Sequence, residues 1–146
     1  MENSCSCDDC KKACSHKPGW FLPGEIEKVA DYLNIDLREL FDTKLGVDWW
    51  VRFPDDIYVV APATIEMTPG SEYPGNPRGQ CQFYKDGLCS IHPVKPYECK
   101  EYHHEDTHGE VKSRHEFVSE TWESQQDWIE KLLGREPVSE GWLFSL

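Results

Sequence analysis

Residues 81–99 read CQFYKDGLCSIHPVKPYEC. Cys81, Cys89 and Cys99 follow one another at intervals of eight and ten residues, with His92 between the last two. Lys85-Asp86-Gly87 marks a turn, and Pro93 and Pro96 set up a short helix carrying Cys99 and Tyr102. A closed thiolate centre takes four ligands, so these three cysteines need a donor from elsewhere in the chain.

The donors lie near the other end, in CSCDDCKKAC, residues 5–14. Cys7 and Cys10 form a CxxC unit, with Cys5 two residues before it and Cys14 four residues after. A tight turn with this spacing aims several sulfurs at one point, as thiolate-bound zinc and iron-sulfur clusters require. Residues 1–20 are short on aliphatics and close with Pro18-Gly19, so local propensity leaves them a loop that something else must order. The expectation is an N-terminal ligand arm, residues 1–20, folded back on a second ligand segment, residues 81–102. No strand precedes the CxxC, which argues against a thioredoxin-like redox pair.

The odd count of seven cysteines, at 5, 7, 10, 14, 81, 89 and 99, argues against a disulfide framework. The start, MENSCSCDDCKK, has no basic segment followed by an apolar one, and no later stretch approaches the roughly 18 apolar residues of a membrane span. These features predict a cytoplasmic chain without a membrane partner. The formal charge of -12, with no basic stripe, repels phosphate backbones, so nucleic acid is not expected as a partner either. Six each of Trp, Tyr and Phe supply the apolar bulk for one folded domain of 146 residues.

Between the cysteine segments the pattern turns helical after Pro23, with Ile26, Val29, Ala30 and Leu33 on one face and Asn34 as the stop. Asp36 and Glu39 form a capping pair for a second helix, which buries Leu37, Leu40 and Phe41 and ends near Gly46. Residues 47–67 are rich in aromatic and β-branched types interrupted by Pro54 and Pro62, which suits short strands. Residues 68–79, with their prolines and glycines, read as a loop. A C-terminal helix over 115–133 places Val118, Trp122, Gln125, Ile129 and Leu132 or Leu133 on one face, with Gly134 as its cap. The expected fold class is α+β: a small single domain, 1–146, of several helices and short strands, stapled by a cysteine-ligated metal site.

Three blocks taken together resemble the YkgJ-like cysteine-cluster family of zinc- or iron-chelating domain proteins. They are CDDCKKAC, then LPGEIEKVADYLNI, then CQFYKDGLCSIHPVKPYECKEY. The resemblance implies metal ligation by Cys7, Cys10, Cys14, Cys81, Cys89 and Cys99. Where the family often has paired cysteines this chain has Ala13 before Cys14, so a ligand is missing or is supplied by Cys5. The family's tyrosine and arginine of the third block are His92 and Lys95 here, which brings a histidine within reach of the site.

His103, His104, His108 and His115 read as a solvated polar run before the last helix, and Trp49, Trp50, Trp122 and Trp128 as core. Three functions follow in order of preference. The first is zinc or iron chelation at a site that is structural or serves metal handling. The second is a [4Fe-4S] protein supporting an enzyme reaction such as protein methylation, because a similar cysteine cluster occurs in the flagellin lysine methylase. The third is a thiol-based redox sensor. No catalytic base declares itself in the sequence, and a protein partner is possible on these features without being identifiable.

Overall fold

In a computed structural model of the chain, residues 19–52, 54–73, 79–85, 88–101 and 105–134 are described. The expected ligands Cys5, Cys7, Cys10 and Cys14 lie outside them, as do Tyr102, His103 and His104.

The first helix, α1 (Glu25–Leu33), buries Ile26, Val29 and Ala30, and it stops at Asn34, whose left-handed backbone (φ 57°, ψ 46°) closes the last turn. Helix α2 (Leu37–Lys44) starts at Asp36, whose side chain accepts from the Glu39 amide at 2.8 Å. It does not run to Gly46. Leu45 is already extended and opens strand β1 (Leu45–Trp50), which pairs antiparallel with β2 (Ile57–Pro62) in the register Leu45 opposite Pro62 and Trp50 opposite Ile57. Pro62 is tolerated because it is the last residue of its strand.

This hairpin is buried on both faces, so β2 reads as a continuous apolar run rather than an alternation. Helices α4 (His108–Trp122) and α5 (Gln126–Leu133) pack against β2, and α2 and α4 meet β1. Trp122 and Trp128 are fully buried, their rings stacked at 6.3 Å. Trp49 and Trp50 are only partly covered.

The C-terminal helical run begins at Thr107, ahead of the expected 115, and is divided by a 3-10 turn at Glu123–Gln125. Thr107 and Glu110 form a reciprocal capping box inside the histidine-rich stretch. Gln126 then ties α5 to the sheet, because its amide accepts from the Tyr58 N–H and donates to the Tyr58 carbonyl, both at 2.9 Å. No helix among the described residues is long and apolar enough to cross a membrane.

Candidate metal centre

Cys81 is placed by the end of the hairpin. The chain leaving β2 forms an isolated antiparallel bridge between Thr64 and Cys81, and the Gln82 amide donates to the Ala63 carbonyl at 2.8 Å. Cys81 is thereby fixed as an almost fully buried side chain at the edge of the core. Beyond it, β3 (Tyr84–Lys85) and β4 (Leu88–Cys89) pair antiparallel on either side of the expected Lys85-Asp86-Gly87 turn, whose Asp86 and Gly87 lie outside the described residues. A 3-10 turn at His92–Val94 leads to helix α3 (Tyr97–Glu101), which carries Cys99.

A helix of five residues cannot hold itself, since helix nucleation is unfavourable and short helices depend on tertiary contacts. Two buried carboxylates supply them. Glu25, at the start of α1, accepts from the Tyr97 amide at 2.9 Å and from the Leu22 amide at 2.8 Å, and Lys100 approaches its second oxygen at 3.4 Å. Glu98 accepts from the Trp20 amide at 2.9 Å, and the Glu98 amide donates to the Trp20 carbonyl at 3.3 Å. The residues at the foot of the cysteine arm are thus joined to the turn that carries Cys99.

Gly19 shows how close this junction is. A Cβ at Gly19 would lie 2.9 Å from Cys99 Sγ, 2.9 Å from Glu98 Cβ and 3.0 Å from the Cys99 amide nitrogen. Any larger residue would displace the thiol or the helix.

Tyr73 relates buried Cys81 to Cys99, which is partly exposed. Its ring packs where Gly46 lacks a side chain, since a Cβ there would lie 2.8 Å from the ring, and its hydroxyl donates to the Pro62 carbonyl. Burial holds the Tyr73 hydroxyl well above the ordinary tyrosine pKa, and negative charge on Asp48, Cys81 and Cys99 pushes the same way. Cys81 and Cys99 therefore act electrostatically on the same buried hydroxyl.

Cys89 has different surroundings. It is half-buried, which pushes its thiol pKa up, while the Ile91 amide and the Lys95 ammonium pull in the opposite direction. His92 is exposed, with Nδ1 3.3 Å from Lys95 Nζ. Cys81, Cys89 and Cys99 are all outside disulfides. Among the described residues no three His, Cys, Asp or Glu side chains are grouped so as to hold a metal ion.

The sequence reading missed several residues that build this junction. His115 is not in a solvated loop: it sits on α4, with Nδ1 2.5 Å from Glu98 Oε2 and its ring 4.2 Å from that of Trp20. The Trp20 indole N–H donates to buried Asp48 at 2.9 Å. Only Glu98, next to Cys99 in PYEC, carried a local signal; the pairing of His115 with it spans residues that no periodicity relates. His108 lies exposed in the first turn of α4.

A thiol as buried as that of Cys81 suits a soft or borderline cation, which stabilises thiolate where an apolar environment alone would disfavour it. The comparisons with known proteins agree with that donor chemistry. No curated protein and no solved structure matches the chain. A family model does match, over residues 6–119, a span that takes in Cys7, Cys10, Cys14, Cys81, Cys89, Cys99 and most of α4. The chain belongs to the CxxCxxCC family, described as a "Putative zinc- or iron-chelating domain".

Proposed function

We propose that the protein chelates zinc or iron through thiolates contributed jointly by the N-terminal arm and by the segment carrying Cys81, Cys89 and Cys99. The observation that carries this reading is the close approach of Gly19 to Cys99, whose Sγ lies 2.9 Å from where a Gly19 Cβ would stand. Cys14 precedes Gly19 by five residues, a tether that spans at most about 18 Å when fully extended. On this reading the short tether lets Cys14 reach Cys99, with Cys10, Cys7 and Cys5 as the further donors of the arm. Cys81 is the second anchor, sharing the Tyr73 surroundings with Cys99. Cys89 and His92 are the outer candidates, because Lys95 stands beside both.

A bound zinc would be held by thiolates of both segments and would add structural stability. The protein's contribution is to bring the donors together, exclude water around Cys81 and Cys99, and hold the arm against α3. A net charge of -12 supports a protein rather than a nucleic acid as the recipient of any metal that is passed on.

A second reading is an iron-sulfur centre. A [4Fe-4S] cluster draws four thiolates, as one zinc shell does, and the seven cysteines supply enough for either. Elemental analysis with a visible spectrum on anaerobically purified protein separates the two. One zinc per chain and no visible band supports the chelating module. Several irons with inorganic sulfide and a broad visible band moves the reading to the cluster. A chain purified with neither metal, and unable to take up either, overturns both.

A further inference from the structure

Glu98 is 4% exposed, and a carboxylate that buried is almost always paired. Both of its oxygens are engaged, and by different parts of the chain. Oε1 takes the Trp20 amide at 2.9 Å, and Oε2 faces His115 Nδ1 at 2.5 Å. The imidazole is itself packed, its ring 4.2 Å from Trp20 and 5.7 Å from Trp50. Trp20 is pinned at its far end by Asp48. A line of contacts therefore runs from α4 through His115 and Glu98 to the amide of Trp20, the residue after Gly19, which leaves no room for a Cβ beside Cys99 Sγ.

Taking Cys99 as a metal ligand, as proposed above, we propose that Glu98 and His115 are positioning residues for the metal centre: Glu98 sets Gly19 against the Cys99 thiol, and His115 sets Glu98. Neither side chain need touch the metal. Glu98 and Cys99 are neighbours on one turn of helix, so a rotation of that turn moves both. The Trp20 amide fixes the rotation from the arm side and His115 fixes it from α4. Groups that orient ligands in this way affect metal affinity by about 10- to 100-fold when removed. The capping box that starts α4 at Thr107 is then part of the same support, since it sets where His115 falls.

The test compares wild type with Glu98→Ala, Glu98→Gln and His115→Ala in the full chain. Two quantities are read: the rate of metal release to a chelator, and the visible spectrum of the saturated protein, with cobalt(II) in place of zinc or with the native iron chromophore. Glu98→Ala is expected to release metal about 10- to 100-fold faster and to shift the ligand-field or charge-transfer bands. Glu98→Gln keeps an oxygen for the Trp20 amide and is expected to restore most of both. His115→Ala is expected to fall between. A residue that merely stabilises the fold leaves the spectrum of saturated protein unchanged. Wild-type release rates and spectra in both alanine variants overturn the positioning role while leaving chelation intact. Wild-type protein that binds no metal overturns the chelation reading instead. Should Glu98→Ala fail to fold, His115→Ala, at a side chain that is 19% exposed, decides by the same two readings.

Discussion

Gly19 owes its place to what it lacks. Its missing side chain leaves 2.9 Å between an ideal Cβ position and Cys99 Sγ, so Gly19→Ala must move either the thiol or the α3 backbone. Overpacking of this kind costs about 1 to 3 kcal/mol. The expected outcome is a lower urea midpoint together with faster metal release, whereas unchanged release would place the thiol outside the metal shell. Tyr73 gives a prediction in pH. Its folded pKa is raised above the unfolded value, so the native state holds the phenolic proton more tightly. The stability tied to that proton is fully present below the ordinary tyrosine range, about 10, and is lost as pH rises through the folded value. The difference in unfolding free energy between wild type and Tyr73→Phe should stay flat to about pH 10 and then turn against the wild type. A difference that stays flat above that range would show that the hydroxyl is not held as described.

At the scale of elements, the parts that read most clearly were those with strong local grammar. Asp36 caps α2, Asn34 ends α1, and the apolar faces of α1 and α5 are buried where their periodicity places them. The start of α4 was not legible, because apolar periodicity begins only near Val118 while the helix begins at His108. The signal was Thr107 with Glu110, a capping box set among histidines that read as solvent-facing. The boundary at Gly46 failed for a different reason. Glycine there serves the close approach of Tyr73 and Met67, not a helix end. Thr107→Ala should cost about 0.5 to 2 kcal/mol in denaturant unfolding, the usual worth of an N-cap. Gln126→Ala strips both hydrogen bonds from the Tyr58 backbone and should cost about 1 to 3 kcal/mol, with the loss seen first as hydrogen exchange at the β2 edge. Exchange at Tyr58 equal to wild type would show that the amide pair is replaceable.

Over the whole molecule, the hairpin, α1, α2 and the last two helices form a core around Trp20, Phe21, Trp122 and Trp128. The candidate centre sits beside that core, at the joint between the arm and α3. Residue types and spacing made the cysteines legible. The carboxylate scaffolding was not, because Glu25 joins α1 to Tyr97 and Glu98 joins α3 to both Trp20 and His115, contacts between segments far apart in sequence that no local pattern encodes. Structural zinc contributes about 10 to 16 kcal/mol in small domains, comparable to the net stability of a whole domain, so removal of metal by a chelator should lower the thermal midpoint markedly. His108→Ala, exposed in the first turn of α4, should change neither metal content nor stability.

The joint ownership of the centre is tested most directly by metal content, measured by elemental analysis on anaerobically purified wild type, Cys10→Ser and Cys99→Ser. The account predicts zinc or iron in fixed proportion to the wild-type chain and a loss of metal in each variant, one from the arm and one from α3. Full wild-type metal in either variant would contradict a centre shared between the two segments.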